Sequence, residues 1–493
     1  MVRRSALLLA ALLQAAILSG CSVTAPEGAV SDPPPPPVDD PGDGLPAWAS
    51  WLDQADMLAG EVFHLDPRSG SLDNPGTADQ PWPGLQAVVA AGYVQRWSTE
   101  EKPYPAGGDA DIVCLNPGAP VGPGDRLVLH EGDHGDVVLN DMHQPGFVKI
   151  SGAAGEEPLL GSLVMHGVER VVVEDVTLRS RRTAGDQLED RTLLAADDTD
   201  WFGPAGFIVV RRCRLESDRS SSGWSAGDWV ANARDGVALH CDDVAVTDNA
   251  LANVYFGVKV LGDRALVRGN AVDHFAADGI QAMGSDLLLQ GNVIRDAYKV
   301  DDNHDDGIQC YPFGAATECR NVVIRGNTIV ARTGQPHVMT DRLHGIVLTS
   351  EGFVDCVIEN NLVVVDAWMG ILVRGGTGVA VVNNTLTGVG EMVEFGPPMV
   401  MIEQGEDGQR STGVLVRNNI AWEVRVEGDV VADHNLTGFD PAAVFVAPWS
   451  GDYRARVGGP ARDAGSADGA PAEDIDGRSR PGGGAVDIGA FEL

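Results

Sequence analysis

One asparagine recurs at the same place in a loose repeat through the second half of the chain, and no other feature restricts the possible folds as much. When the segments VAVTDNAL, ALVRGNAV, LLLQGNVI, VVIRGNTI, CVIENNLV, VAVVNNTL and VLVRNNIA are aligned, Asn249, Asn270, Asn292, Asn327, Asn361, Asn384 and Asn419 share one column. Each follows a short run rich in β-branched residues, and steps of 21, 22, 35, 34, 23 and 35 residues separate them. A period of roughly 22 with insertions is too short for a repeat of paired helices and too irregular for propeller blades, but it suits one coil of a parallel β-solenoid. Asparagine side chains stacked at a turn can hydrogen-bond from coil to coil and pair turn backbone that burial would otherwise leave unsatisfied. The column is therefore expected to be structural rather than catalytic.

A second column runs in step with the first. DGVAL, FGVKV, DGIQA, DGIQC, HGIVL and MGILV align Gly236, Gly257, Gly279, Gly307, Gly345 and Gly370. Glycine permits the backbone angles of a tight turn entering a strand, and the apolar residue after it is expected to face the core. Polar residues flanking these glycines then stand outside, where function would lie.

A solenoid grows along one axis, so the 493 residues need not split into separate domains. With 35 basic and 71 acidic residues the net charge is -36, which argues against nucleic-acid binding. It also disfavours a polyanionic substrate unless a cation bridges the two.

The N-terminus reads as a targeting segment. Arg3 and Arg4 precede an apolar stretch from Ala6 to Leu18, and Leu18-Ser19-Gly20-Cys21 resembles a bacterial lipobox. That resemblance implies cleavage before Cys21 and acylation of its thiol. Ser22, rather than an aspartate, resembles the pattern of lipoproteins sorted to the Gram-negative outer membrane. The stretch PEGAVSDPPPPPVDDPGDGLP, residues 26 to 46, suits a solvated polyproline-like tether, so the lipid anchor is the expected membrane contact. Of the other cysteines, Cys310 and Cys319 bracket one insertion and are the expected disulfide pair in an exported protein.

Residues 61 to 92, EVFHLDPRSGSLDNPGTADQPWPGLQAVVAAG, resemble the opening segment of right-handed parallel β-helix proteins of the pectate-lyase-like superfamily, with a capping helix from Leu85 to Ala91. A cap is physically required because the first coil would otherwise expose its core and a sheet edge. PGDRLVLHEGDHGDVVL, residues 123 to 139, resembles a first full coil of the same superfamily. At the far end, GPARDAG and DIDGRSRPGGGAVDIGAFEL resemble a segment that closes many bacterial surface β-helix proteins, through Asp463, Gly465, Asp476, Gly477, Arg478 and Asp487 to Glu492. The resemblance implies an all-β, single-stranded right-handed parallel β-helix. The expected division is a signal peptide at 1–20, the lipidated cysteine and tether at 21–47, the β-helix at 48–455 and the closing segment at 456–493.

Columns of the alignment become rows on the surface, with coils about 4.8 Å apart. Before each glycine stand Asp235, Phe256, Asp278, Asp306, His344 and Met369; two positions after it stand Ala238, Lys259, Gln281, Gln309, Val347 and Leu372. Polar character is confined to the middle coils, which suggests a site rather than a generally solvated face. Asp278 and Asp306 on adjacent coils would repel, raising one pKa and dividing the pair into acid and base. The alternative is that each aspartate caps its own turn. His304 stands beside Asp306, and Arg342 and His344 lie one coil on. Asp235, Gln281 and Gln309 are candidate substrate contacts. The run Asp301-Asp302-Asn303-His304-Asp305-Asp306 offers carboxylates for a Ca²⁺ ion, with Asp301, Asp302 and Asp305 as candidate ligands.

Two function classes follow. In the first, a carbohydrate-active enzyme cleaves a polysaccharide, either as a glycosidase using Asp278 and Asp306 or as a lyase. In the lyase, a metal neutralises a uronate, Lys259 takes the C5 proton, and a nearby His or Arg assists the leaving oxygen. In the second, a monomeric surface protein binds glycan without turnover or serves as a rigid spacer, with Trp201, Trp224 and Trp229 available to stack on sugar rings. The string His-Asp-Asp-Gly-Ile-Gln resembles motifs of poorly characterised bacterial β-helix proteins. It lacks the Asp-Asp and Gly-His-Gly pattern of polygalacturonases, the Asp-Pro-His of mannuronan epimerases and the arginine-rich signature of pectate lyases, so no catalytic role carries over.

Overall fold

The structure, a computed structural model, describes residues 44–106, 110–181, 191–312, 316–334, 339, 342–350, 352–388, 396–406 and 408–493. Cys21 and most of the proline-rich stretch lie outside the described residues. Among the described residues, no helix is long and apolar enough to cross a membrane.

A regular coil is short because its strands are brief. The coil at the centre of the chain is built on Asp306–Cys310, Val322–Arg325 and Thr328–Val330, with a two-residue strand Cys319–Arg320 before the second. Each strand pairs in parallel with its equivalents in the neighbouring coils, so the coils stack into three long parallel sheets and a short one through Cys319–Arg320, Phe353–Val354 and Gly376–Thr377. Asp235–His240, Val258–Leu261, Ile280–Met283, Asp306–Cys310, His344–Leu348 and Met369–Arg374 follow one another in the first sheet. The second sheet runs in the same way through Leu287–Gln290, Val322–Arg325 and Val357–Glu359, and the third through Val293–Ala297, Thr328–Val330 and Leu362–Val364. The long steps between asparagines are excursions from this pattern. One, 311–321, separates the first two strands of its coil, and another, 331–343, precedes the next coil.

Inward rows are apolar from end to end. Leu239, Val260, Ala282, Cys310, Leu348, Val373 and Ile402 lie in register along the first sheet, all buried. Burial of each large aliphatic chain stabilises by about 1.5–3 kcal/mol. Cys310 belongs to this row, and Cys319 is buried in the same core; both are free thiols. The expected disulfide is therefore corrected: each sulfur packs as a small hydrophobe in the core, and burial, with Cys319 and Cys356 nearby, pushes the Cys310 thiol well up.

The asparagine column forms the expected ladder. Asn327 is fully buried; its Oδ1 accepts from the backbone N–H and Nδ2 of Asn292, and its Nδ2 donates to the carbonyl of Leu289 and to Oδ1 of Asn361. The same four-way pattern runs from Asn270 to Asn419; Asn249 begins the ladder, accepting from the Cys213 backbone N–H, and Asn435 receives the last pair. The residue just before each ladder asparagine is left-handed, with φ of 56, 67, 64, 63, 53, 53, 57 and 52° at Asp248, Gly269, Gly291, Gly326, Asn360, Asn383, Asn418 and His434. That conformation is open to glycine and tolerated by Asn and Asp, which explains the recurring Gly-Asn and Asn-Asn pairs.

The glycine column has a different cause from the one expected. None of its six members has positive φ. A Cβ on Gly307 would meet Ile329 of the third sheet at 2.6 Å and the carbonyl of Gly345 at 3.0 Å, and one on Gly236 would meet the carbonyl of Gly257 at 2.7 Å. Close packing where the third sheet meets the first excludes a side chain here.

Both ends are covered. The helix Leu85–Ala90 buries Leu85 and Val88 against the core at the N-terminal end. At the other end the closing segment inserts a buried Arg480–Glu492 ion pair of 2.7 Å and bonds to the stacked turns: Asn360 donates to the carbonyl of Glu473, Asn383 to that of Asp487 and Asn418 to that of Ser466.

Candidate functional site

The outer face of the first sheet changes character along its length. In the strand register Ala238, Lys259, Gln281, Gln309, Val347 and Leu372 form one row, as the alignment predicts. Beyond Gln309 the row becomes an apolar cluster of Val347, Leu372, Met399 and Met401, with Trp368 and Met369 packed against it. The polar middle is thus bounded by an apolar wall.

Asp278 and Asp306 sit beneath this polar row, both buried. Oδ1 of Asp278 accepts from the backbone N–H of Asp306 at 3.0 Å, so one carboxylate caps the turn of the next coil. Gln281 donates to Asp278 at 3.0 Å and to Oε1 of Gln309 at 3.0 Å, and Gln309 donates to Asp306 Oδ2 at 2.6 Å. Burial, and then the charge of Asp306, push the Asp278 carboxyl well above the usual range. Burial would raise Asp306 too, but His304 and His344 hold it below the usual value. The two carboxyls are thus pushed in opposite directions, and both lie beneath the surface. Burial removes both from direct contact with a polymer; the groups that reach the surface are carried on them.

His304 is such a group. Its side chain is 48% exposed, and Nδ1 lies 3.0 Å from Asp306 Oδ2. His344, in register with Asp306, has Nδ1 3.3 Å from Asp306 Oδ1, and the two imidazoles stack with centroids 4.2 Å apart. Trp368 stands edge-on to His344. Ligating atoms of His304, Asp306 and His344 all fall within 4.8 Å of one another. Asp306 Oδ1 and His344 Nδ1 are buried and make no hydrogen bond.

Lys259 joins Asp235 at 2.8 Å and lies over the Phe256 ring at 4.3 Å. Arg342 is exposed on the segment leading into the His344 strand.

The acidic run folds as a turn that satisfies itself. Asp301 accepts from the backbone N–H of Asn303 at 3.0 Å and from the Tyr255 hydroxyl at 2.5 Å, while Asp305 pairs with Lys299 at 3.2 Å and with the Asn303 amide at 3.1 Å. Asp302 is exposed. Among the described residues, the ligating atoms of these three carboxylates do not converge into one group. Trp229 is buried, with Tyr298 stacked on it and Trp224 edge-on, so these two serve packing rather than sugar stacking; Trp201 is exposed.

Sequence reasoning passed over Tyr311 and His240. Tyr311 lies two residues beyond Gln309, and its phenol is pushed up to about 12 by burial and then by Asp278. His240 stands two residues beyond Ala238 and is lowered by burial and then by Lys259. Extending the two-residue alternation of each strand by one more step would have found both.

A family model described as a right handed beta helix region matches residues 230–386. Among solved structures, pectate lyase Pel9A is 13% identical, over 89% of this chain and 98% of its own, with a TM-score of 0.45. The A-module of the Azotobacter vinelandii mannuronan C-5 epimerase AlgE6 is 13% identical over 64% of this chain and 91% of its own, with a TM-score of 0.41. XylC, solved in complex with xylose, is 8% identical over 87% and 98%, with a TM-score of 0.45. No curated protein sequence is significantly similar to the chain. The fold is a right-handed parallel β-helix.

Proposed function

We propose that this chain is a carbohydrate-active enzyme that cleaves a polysaccharide across the middle coils of the first sheet. The observation that carries the reading is the exposed His304 imidazole held by the buried Asp306 carboxylate at 3.0 Å, beside the amide row of Gln281 and Gln309. A carboxylate beside an imidazole orients the ring and stabilises its cation, which favours uptake of a proton by the ring. His304 meets the substrate; Asp306 is a positioning residue. The proton comes either from a water whose oxygen bonds to C1 as the glycosidic C–O bond breaks, giving hydrolysis, or from C5 of a uronate as the C4–O bond breaks, giving β-elimination; the leaving oxygen takes a proton from the His304 imidazolium or from solvent, and in the elimination Lys259 and Arg342 supply positive charge near the sugar carboxylate. A row of equivalent positions repeated from coil to coil suits an extended polymer. The body is proposed to be anchored through an acylated Cys21 at a Gram-negative outer membrane.

The test is a panel of neutral and acidic polysaccharides, scored for new reducing ends and for the ultraviolet absorbance of unsaturated uronates. Both signals together mean a lyase, and reducing ends alone mean a hydrolase. Glycan binding without turnover on any polymer would leave the chain a binding protein. For the anchor, Cys21→Ser should release the protein from membranes; retention at the original level would refute it.

A further inference from the structure

We propose that His304, Asp306 and His344 bind one divalent cation of the Zn²⁺ class. The proposal rests on the reading of this patch as the reactive site only for its location: with the ion bound, the His304 nitrogen beside Asp306 would be a ligand, and the ion rather than the imidazole would act on the substrate.

Two nitrogens and one carboxylate converge within 4.8 Å, on the strand Asp306–Cys310 and its neighbour His344–Leu348 and on the turn before them. Sheet pairing fixes two of the three, because Asp306 and His344 are in register. The donor separations of 3.0 and 3.3 Å match the edges of a coordination polyhedron. Metal–ligand bonds near 2.0–2.1 Å place neighbouring ligands about 2.9 Å apart in an octahedron and about 3.4 Å apart in a tetrahedron.

The second observation is the pair of orphaned atoms. Asp306 Oδ1 and His344 Nδ1 face each other across 3.3 Å, both buried, and neither makes a hydrogen bond. Buried polar atoms without partners are rare in folded proteins. A metal ion between them would satisfy both at once. Imidazole nitrogens also decide the kind of ion. Ca²⁺ takes oxygen ligands in sixes to eights, whereas two imidazoles and a carboxylate suit Zn²⁺ and its first-row neighbours. This donor set therefore differs in both position and preference from the all-oxygen site expected at Asp301, Asp302 and Asp305. Exposure of His304 leaves the ion open to solvent on one side, as an ion that polarises a substrate oxygen must be.

The full chain, stripped with EDTA and dialysed, should be titrated with ZnCl₂, and the bound metal counted by elemental analysis. One equivalent of zinc is expected, not displaced by a 100-fold excess of CaCl₂. His304→Ala, at an exposed position, should weaken binding by about 100-fold or more with an unchanged circular-dichroism spectrum, and Asp306→Asn should do the same. His274→Ala serves as the control, because Asp273, His274 and Asp296 form the other close group of potential ligands among the described residues. The proposal falls if the wild-type chain takes up no zinc, if uptake survives His304→Ala, if His274→Ala abolishes it instead, or if equimolar CaCl₂ displaces it. Polysaccharide cleavage is scored separately: uptake without turnover would sink the enzymatic reading alone, and turnover without uptake would sink the metal site alone.

Discussion

Two stacks of polar side chains are buried along this solenoid, the asparagine ladder and the carboxylates under the Gln281–Gln309 row, and the same coil-to-coil register builds both. In the ladder each side chain carries a donor and an acceptor, so one rung completes the next without limit; Asn327 makes four bonds of 2.9–3.0 Å. Under the patch the stacked groups are carboxylates, which only accept. Two of them in adjacent coils cannot complete one another, and the gap is filled by amides, imidazoles and a raised pKa at Asp278. Asp306 Oδ1 has the His344 imidazole at 3.3 Å but no hydrogen bond. A stack of amides closes on itself, whereas a stack of carboxylates needs a cation or a proton.

The contrast is most exposed to failure at the ladder. Asn327→Ala orphans the Leu289 carbonyl and the two donors of Asn292; at about 1–3 kcal/mol for each buried group left unpaired, the loss measured by urea unfolding should reach at least about 3 kcal/mol. A neutral result would show that water substitutes for the rung. In the patch the same kind of deletion should spare the fold and remove the chemistry. His304→Ala should lower kcat by about 100-fold or more, the scale for losing a general acid or base, with Tm nearly unchanged. Asp306→Asn should lower kcat and also shift the pH profile, because Asp306 acts through His304.

A subtler effect should appear at Asp278 in the metal-free chain. Its carboxyl is raised in the folded state, so the unfolded chain ionises first, and the stability it contributes is present below the unfolded pKa and lost as pH rises through the folded one. Asp278→Asn needs no ionisation and should therefore raise Tm, more at pH 8 than at pH 5; an equal shift at both would mean that the carboxyl is not buried neutral. The smallest expected effect concerns Cys310 and Cys319. With both thiols free in the core, a reductant should leave Tm unchanged, and a drop would show that a bridge pins the patch's own coil.

Much of the fold was legible because a solenoid writes its register into the sequence: the asparagine column gave the coils, and the Lys259, Gln281, Gln309 row came out in the predicted order. The glycines were recognised for the wrong reason. A turn angle and a steric exclusion both select glycine, and only the position of Ile329 against Gly307 separates them. Placement of Asp278 and Asp306 beside one another was readable, but their depth was not. Depth depends on what Gln281, Gln309 and His304 cover, and those are side-chain contacts that no periodicity encodes. The acidic run differs from expectation for a related reason: Asp301 turns to the Asn303 backbone and Tyr255, Asp305 to Lys299 and the Asn303 amide, and Asp306 to the two imidazoles, so these carboxylates do not face one point.

The left-handed residue before each ladder asparagine has one more consequence. In the middle coils it is Gly269, Gly291 and Gly326, which offer nothing outward, whereas in the last coils it is Asn360, Asn383 and Asn418, whose amides hold the closing segment. The molecule's length is therefore decided locally, by which residue occupies a single position per coil. Duplicating a glycine-bearing coil upstream of Asn360 would extend the outer face by one coil and carry the finished end along with its own docking marks. The chain has a growth point built into it, and a lineage could lengthen or shorten its working surface there without redesigning either terminus.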